Sequence, residues 1–328
     1  MKFLIIRLSS IGDIVLTTPV TRCLKQQVDE CEIHFLVKEK YVSILANNPY
    51  IDQIHVYSDN NEIIKKLKNE FFDHIIDLQN NLRTKQIKNK LKVPDFTVNK
   101  LNWKKFLLTN FKINKLPKQH IVDRYLETVH VFDVKNDEQG LDYFPSQKAE
   151  TELDQFNKNI GSPYACLAIG GQHFTKKMPA DMLALLCSYI HFPIVLLGGE
   201  EDSNAGEVIL QKNKTKQVYN LCGKISLDAS ALLIRDSKLV ITHDTGLMHI
   251  AAAYKKTILS IWGNTVPAFG MIPYQTSQKS KIFEVKNLKC RPCSKIGFDS
   301  CPKKHFNCMM NQDIESIAKE ANRLFSEK

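Results

Sequence analysis

The sequence contains no apolar run long enough to cross a lipid bilayer. Its longest apolar stretches, such as Phe192 to Gly199, have the length of a β-strand. Near the N-terminus only Phe3 to Ile6 is uninterrupted before Arg7, which is far shorter than the apolar region of a secretory signal peptide. These absences argue against an integral membrane protein and against export, so we expect a cytoplasmic protein.

Two common nucleotide-binding motifs are also missing. The chain has neither the G-x-G-x-x-G pattern of dinucleotide-binding domains nor the G-x-x-x-x-G-K-[ST] pattern of P-loop NTPases. It shows no internal repeat and no low-complexity tract. Its 328 residues, of which 43% are hydrophobic and 24% charged, are typical of a globular protein with two domains.

Negative charge is in deficit. Forty-five lysines and arginines against 35 acidic residues give a net charge of +10, which favours acidic partners. Many of the lysines lie between Lys65 and Lys118. They form either a solvated helical face or a surface attracted to acidic glycolipid or lipid headgroups. Nucleic acid is a less favoured partner. Its binding sites usually interleave aromatic residues with the basic ones, and we do not expect such an aromatic surface in this region.

Strands and helices alternate along the chain in two sets. The first set has strands at Phe3 to Leu8, Glu32 to Val37, Gln53 to Tyr57 and Asp73 to Leu78, and a helix at His120 to Phe132. The second has strands at Tyr164 to Ile169, Pro193 to Leu197, Lys238 to Thr242 and Thr257 to Trp262. Its helices are predicted at Pro179 to Ile190, Glu200 to Gln211, Ser226 to Arg235 and Gly246 to Tyr254.

This alternation indicates an α/β protein with two doubly wound parallel sheets. The polar, turn-rich stretch from Lys135 to Ser146 predicts a boundary between domains at 1–145 and 146–328. Ligands of such sheets bind beyond the carboxyl ends of the strands, so we expect a site in a cleft between two facing domains. A closing helix is predicted at Gln312 to Phe325, and packing back on the first domain is one arrangement open to it.

One turn of the second domain has the features of an anion site. An apolar strand runs into Asp244, Thr245 and Gly246, and a helix begins there. The free N–H groups and the dipole of that helix would point at a ligand above the turn, with His249 near its first turn. The same pattern is also found at ordinary helix caps, where Thr245 would supply the cap.

Two further turns carry candidate chemistry. Asp13 follows the first strand at a helix start, where it is either a capping acid or a general base that accepts the proton of an attacking hydroxyl. In the second domain, Gly170 and Gly171 permit close approach of a diphosphate. Thr175 and the lysines that follow it could contact that diphosphate and neutralise a leaving group without a metal, although surface solvation would explain these lysines equally.

Five motifs occur in a specific order. They are SSIGD at 9–13, DLQNNLRT at 77–84, HIVDRY at 120–125, TKKMP at 175–179 and DTGLMHIAAA at 244–253. Together they resemble glycosyltransferase family 9, the ADP-heptose:lipopolysaccharide heptosyltransferases. The resemblance implies the GT-B fold of two Rossmann-like domains. It also implies inverting transfer of a heptose from ADP-heptose to the lipopolysaccharide inner core, with no cofactor required for catalysis and no catalytic metal.

The resemblance implies a role for each matching residue. Asp13 falls on the general base, in an acceptor-binding N-terminal domain. Donor-side positions in the nucleotide-sugar-binding C-terminal domain are Thr175, Lys176, Asp244, Thr245, Gly246 and His249. Acceptor-side positions are Ser10, Gly12, Arg83, His120 and Arg124, for which acceptor contact and a purely architectural role are both open. The implied location is peripheral, at the cytoplasmic face of the inner membrane, in contact with anionic lipid.

Nine cysteines occur, and four of them cluster at the C-terminal side. The spacing of Cys290, Cys293, Cys301 and Cys308 could present four thiolates to a structural zinc or iron, with His305 as a substitute ligand. Against this, the second pair lacks C-x-x-C spacing, and cysteines of a reduced compartment also simply pack.

Other functions remain open at this point. Met248 stands where the family commonly has Ser, so another nucleotide sugar is one alternative. A sugar-nucleotide epimerase or hydrolase that needs no acceptor is a second. A binding module without catalysis is a third, and the joint presence of the SSIGD, TKKMP and DTGLMH motifs argues against it.

Overall fold

The computed structural model describes residues 1–59, 61–157, 160, 162–214 and 217–327. The chain divides into two compact units. The first consists of Met1–Leu101 and Gln119–Ser146, and the second of Asn102–Lys118 and Gln147–Lys328. The 102–118 segment, which the predicted boundary assigned to the N-terminal domain, therefore groups with the second unit.

The first unit is built on a five-stranded parallel sheet. Its strands are β1 Lys2–Ile6, β2 Glu32–Lys38, β3 Gln53–Tyr57, β4 His74–Asp77 and β5 Asp95–Thr97, in the order β3-β2-β1-β4-β5. Its helices are α1 Ile11–Val15, α2 Thr18–Gln27, α3 Asn61–Lys68, α4 Leu82–Leu91 and α6 Ile121–Leu126. Phe3 lies opposite Ile33 of β2 and His74 of β4, and β1 is buried from Phe3 to Ile6, as expected for a central strand covered on both faces.

The second unit is built on a six-stranded parallel sheet. Its strands are β6 Ala165–Ala168, β7 Ile194–Leu197, β8 Val218–Asn220, β9 Leu239–His243, β10 Ile258–Trp262 and β11 Lys281–Glu284, in the order β11-β10-β9-β6-β7-β8. Its helices are α5 Asn102–Phe106, α7 Lys148–Asn157, α8 Ala180–Ser188, α9 Ser203–Lys212, α10 Leu227–Asp236, α11 Gly246–Ala253, α12 Asn307–Met310 and α13 Ile314–Ser326. The prediction of an α/β protein with two parallel sheets is confirmed.

Some elements differ from the prediction. Strands β5, β8 and β11 were not predicted, because they are short edge strands of three or four residues without an apolar run. The helix predicted at His120 to Phe132 is instead α6 followed by a 3₁₀ helix at Glu127–Phe132.

The closing helix α13 packs within the second unit. Ile317 and Ala321 are fully buried in the core of that unit. The ring of Phe325 stacks on Phe192 at a centroid distance of 3.8 Å. The apolar face of α13 is thus buried within the second unit.

Within the described part of the chain, none of the helices combines the length and the apolar character that crossing a bilayer requires.

Each sheet has a topological switch point, where successive strands stop being added on one side of the first strand and are added on its other side. In the first unit this point lies between β1 and β4, and in the second between β6 and β9. The turns that follow neighbouring strands on either side of such a point open a crevice in which ligands of doubly wound sheets bind. Asp13 follows β1, and Asp244 follows β9, so both candidate turns lie at these points.

Candidate active site

Asp13 is held in a defined orientation in the first turn of α1. Its Oδ1 lies 2.7 Å from Nη2 of Arg7. The hydroxyl of Ser10 donates to Oδ2 of Asp13 over 2.9 Å. The Arg7 side chain is 8% exposed and that of Asp13 is 24% exposed. The carboxylate is therefore paired on one side and open to solvent on another.

Arg7 connects the ends of the two strands that flank the switch point. It donates to the carbonyl oxygen of Ser9 at 2.7 Å and to that of Leu78, just after β4, at 2.6 Å. It also donates to the hydroxyl of Tyr125 at 2.9 Å. Burial is the largest influence and by itself would lower the pKa of Arg7, but the charges of Asp13, Tyr125 and Asp77 and the hydrogen bond to Asp13 together outweigh it, and the pKa is raised. Arg7 therefore remains charged and pairs with the carboxylate of Asp13.

Neither Arg7 nor Tyr125 was predicted as a site residue. Burial raises the pKa of Tyr125 to about 12, so its phenol stays neutral beside Arg7. The sequence held one signal, since Arg7 is a charged residue within an otherwise apolar stretch at the carboxyl end of β1. Its partner on α6 is 118 positions away in sequence and had no comparable signal.

The predicted acceptor-side residues have different surroundings. Ser10 and Gly12 belong to the turn that carries Asp13. Arg124 is buried beside Tyr125 on α6, and its pKa is lowered by that burial. His120 is the N-cap of the same helix, and its Nδ1 accepts from the Val122 N–H at 3.1 Å. The structure therefore gives His120 an architectural contact.

Arg83 lies apart from this cluster, exposed in the first turn of α4. A polar surface groove runs along the same helix. It is lined by Asn80, Asn81, Leu82, Lys85, Lys88, Asn89 and Asp95. Lys85 offers the groove an ammonium for an acidic or hydroxyl-rich ligand, whereas Lys88 already pairs with Asp77 at 3.3 Å and with Asp95 at 2.6 Å.

In the second unit, Lys176 pairs with the acid of the Asp244 turn. Its Nζ lies 2.7 Å from Oδ2 of Asp244, and the two side chains are 19% and 8% exposed. The buried hydroxyl of Thr265 donates to the same carboxylate oxygen at 2.8 Å. This arrangement holds a lysine next to the start of α11.

No side chain caps the N-terminus of α11 among the described residues, which leaves its first N–H groups for a ligand. Thr245 occupies the N-cap position, but its side chain makes no cap hydrogen bond, contrary to the simple cap interpretation. Its Oγ1 is buried without a hydrogen-bond partner among the described residues. A Cβ atom on Gly171 would lie 3.1 Å from Cγ2 of Thr245, so the glycine turn approaches this cap closely. His249 is buried further along α11.

The two lysines after Thr175 have different partners. Lys177 pairs with the buried acid Asp202 at 2.9 Å, whereas Lys176 pairs with Asp244. The buried hydroxyl of Thr175 exchanges hydrogen bonds with the backbone of Phe298, donating at 3.2 Å and accepting at 2.8 Å. The Thr175 hydroxyl is thus engaged with this backbone, and its direct contact with a phosphate stays a prediction.

His243 ties the lysine loop to the end of β9. Its Nε2 accepts from the N–H of Met178 at 3.1 Å. Burial lowers the pKa of His243 to about 4, so its imidazole is neutral and can accept this bond. His243 thereby helps to position Lys176, two residues before Met178.

Comparison with known proteins decides the family. The model of glycosyltransferase family 9 (heptosyltransferase) matches residues 61–302. The chain belongs to this family. It is 27% identical to lipopolysaccharide heptosyltransferase 1 of Campylobacter coli, over 100% of each chain. It is also 27% identical to lipooligosaccharide heptosyltransferase 2 of Haemophilus influenzae, over 90% of this chain and 93% of the relative.

A solved structure supports the same fold. Escherichia coli ADP-heptose lps heptosyltransferase II matches with a TM-score of 0.76 and 20% identity, covering 99% of this chain and 98% of that one. The GT-B fold expected for a family 9 glycosyltransferase is therefore confirmed.

The C-terminal cysteines of this family 9 glycosyltransferase do not form a compact ligand set in the described structure. Cys290 Sγ lies 3.9 Å from Nε2 of His305, and Cys293 Sγ contacts the Cys290 carbonyl at 3.1 Å. Burial, together with the neighbouring cysteines, raises the pKa of Cys293 to about 11 and that of Cys308 to about 12. The structural zinc or iron suggested at Cys290, Cys293, Cys301 and Cys308 gains no support from this geometry.

One other group in the described residues has metal-ligating atoms close together. Ligand atoms of His34, His55 and Glu70 lie within 4.8 Å of one another. The ammonium of Lys2 already lies 2.9 Å from Glu70 and 3.1 Å from Glu32. We interpret the group as a hydrogen-bonded network whose carboxylates are neutralised by lysine.

Proposed function

We propose that this enzyme is an inverting glycosyltransferase that moves a heptose from ADP-heptose to the inner core of lipopolysaccharide, with Asp13 as general base. The observation that carries the proposal is the Lys176–Asp244 pair at the start of α11. It supplies a cation and a helix N-terminus at one strand end, as an anionic leaving group requires. The names of the relatives support the sugar and the acceptor class.

The donor side of the proposal uses the second unit. The diphosphate lies against the backbone of Thr245 and Gly246, with Lys176 as its counter-ion. Asp244 is directed toward heptose hydroxyls, and His249 supports the helix that carries the site. As the bond between the anomeric carbon and the diphosphate oxygen breaks, negative charge grows on ADP and is neutralised by these groups. No metal takes part in this step.

The acceptor side uses the first unit. Asp13 takes the proton of an acceptor hydroxyl while the hydroxyl oxygen forms its bond to the anomeric carbon. A single displacement without an enzyme nucleophile inverts the configuration at that carbon. Arg7 and Ser10 hold the carboxylate in place, so its orientation is fixed before the acceptor binds.

Recognition of the acceptor relies on positive charge. Arg83 and the groove along α4 supply donors for the phosphates and acidic sugars of a lipopolysaccharide core, whereas the buried Arg124 has an architectural role on α6. His120 shapes this region by capping α6. We also propose peripheral contact with an anionic membrane at the cytoplasmic face of the inner membrane, because the acceptor is a glycolipid and the net charge is +10.

The test is transfer in vitro followed by analysis of the cell's own glycolipid. Purified enzyme is given ADP-heptose with and without a core acceptor isolated from a strain that lacks the gene. Mass spectrometry should show the acceptor heavier by one heptose, and the deletion strain should carry a core truncated by one heptose until the gene is restored. Release of free sugar at full rate without acceptor would instead favour an epimerase or hydrolase.

A further inference from the structure

The 102–118 segment presents aromatic side chains to solvent. Trp103 is 69% exposed, Phe106 42% and Phe111 60%. The ring of Phe106 stacks on Trp103 at 5.5 Å and meets Phe111 edge-on at 5.9 Å. We call these three residues the aromatic patch. Ile113, which is 48% exposed, adds an aliphatic side chain close by in sequence.

The patch is held by the folded protein. Leu108, which lies between Phe106 and Phe111 in the sequence, is buried. The ammonium of Lys112 donates to the carbonyl oxygens of Pro292 at 2.8 Å and Cys290 at 3.3 Å. These contacts fix the segment on the second unit while its apolar side chains stay in water, which costs free energy unless something covers them.

The charge around the patch identifies the partner. Residues 96–122 contain no acidic residue and six lysines. The lysines Lys104, Lys115 and Lys118 are exposed. Lysine is depleted in the cores of protein interfaces, whereas lysines beside exposed Trp and Phe are typical of segments that lie at the surface of an anionic bilayer. The expectation that aromatic residues are absent among these lysines is thus wrong for this segment.

We infer that the aromatic patch and the lysines of 102–118 dock the enzyme on a bilayer surface that contains anionic lipid. The inference rests on the proposed function in one respect, namely that the acceptor is embedded in a membrane. The rings would enter the boundary between headgroups and acyl chains while the ammonium groups meet the lipid phosphates. Because the rings stack on one another, they are poorly disposed to act as separate platforms for nucleic-acid bases.

The test measures vesicle binding and turnover separately. The full chain and its Trp103→Ser/Phe111→Ser variant are sedimented with vesicles of phosphatidylcholine containing phosphatidylglycerol, and with vesicles of phosphatidylcholine alone. Phe71→Ser is the matched control, because Phe71 is an aromatic side chain 84% exposed outside the segment. Transfer is assayed in parallel on a water-soluble acceptor from which the acyl chains have been removed.

We expect the wild type to bind the anionic vesicles and to lose binding in high salt. The double variant should bind at least about tenfold more weakly, since each exposed ring contributes a substantial apolar area. Its turnover of the deacylated acceptor and its melting temperature should match those of the wild type. The Phe71→Ser control should bind like the wild type.

Three results would overturn the inference. They are equal vesicle binding by the wild type and the double variant, no binding by the wild type, or a patch-dependent dimer or RNA complex in place of vesicle binding. Vesicle binding by a wild type that transfers no sugar to any acceptor would leave the inference standing and contradict the proposed function. Turnover of the deacylated acceptor by a wild type that does not bind vesicles would support the proposed function and contradict the inference.

Discussion

Replacement of Lys176 by methionine separates the electrostatics of the donor site from its architecture. Methionine keeps most of the apolar stem but removes the ammonium that lies 2.7 Å from Asp244. The variant leaves Asp244 with the Thr265 hydroxyl and without its cation. Two losses should follow, one in stability and one in donor use.

The size of each loss can be estimated from the geometry. Unit charges 2.7 Å apart attract by roughly 6 kcal/mol at an effective dielectric constant of about 20. Desolvation of both groups offsets most of this, and the pair is partly open to solvent, so we expect Lys176→Met to lower the free energy of unfolding by about 1–3 kcal/mol. Removing a group that neutralises a leaving group typically lowers kcat/KM by about 10²–10³-fold.

A double variant distinguishes the two effects. In Lys176→Met/Asp244→Asn the uncompensated buried charge is gone, so stability should recover toward the wild type, whereas donor turnover should not. Denaturant unfolding measures the first quantity, and steady-state kinetics with varied ADP-heptose measures the second. Lys319→Met, which removes an exposed lysine from α13, is the matched control.

Two results would refute this reasoning. Unchanged kcat/KM for the donor in Lys176→Met would remove Lys176 from the donor site. Restored turnover in the double variant would show that the ammonium serves only to neutralise Asp244.

Three further predictions concern residues around the two turns. Burial lowers the pKa of His243 to about 4, against 6.5 in an unfolded chain. Between these two pH values the imidazole is protonated in the unfolded state but not in the folded one. The free energy of unfolding should therefore fall by up to about 3 kcal/mol as the pH drops from 6.5 to about 4. Denaturant unfolding at several pH values checks this, and an equal pH dependence in His243→Gln would contradict it. Tyr125→Phe removes the hydroxyl that accepts from Arg7 at 2.9 Å. This substitution should lower the free energy of unfolding by about 1–3 kcal/mol and reduce kcat without changing the donor KM. A raised donor KM would argue against a role of Tyr125 beside the general base. Gly171→Ala places a Cβ 3.1 Å from Thr245, so the donor KM measured in the transfer assay should rise several-fold, and an unchanged KM would mean that the donor lies elsewhere.

The sheets were predictable because their central strands are apolar on both faces. Residues Val240 and Ile241 of β9, for example, are fully buried, and such runs are visible in sequence. The edge strands β5, β8 and β11 were not predictable; β11, for example, begins at Lys281 and leaves Ile282 substantially exposed. Edge strands form because a neighbouring strand offers hydrogen bonds, and sequence does not display that neighbour.

The candidate site was predictable in its turns but not in its pairings. The strand-to-helix turns of Asp13 and Asp244 are local patterns. Which of the two adjacent lysines reaches Asp244 depends on the 3₁₀ turn at Phe174–Lys176. This turn directs Lys176 to Asp244 and Lys177 to Asp202. The Arg7–Asp13 pair likewise depends on the path of the loop between them, because no helical or strand periodicity relates the two residues.

The central claim, that Asp13 is the general base of a glycosyl transfer, is tested most directly by Asp13→Asn. The amide keeps the size of the side chain but cannot accept the proton, so turnover should fall by about 10²–10⁴-fold. ADP-heptose binding, measured by calorimetry, should remain close to that of the wild type. Asp29→Asn, which changes an exposed acid after α2, should have no effect on either quantity. Turnover by Asp13→Asn comparable to the wild type would contradict the claim.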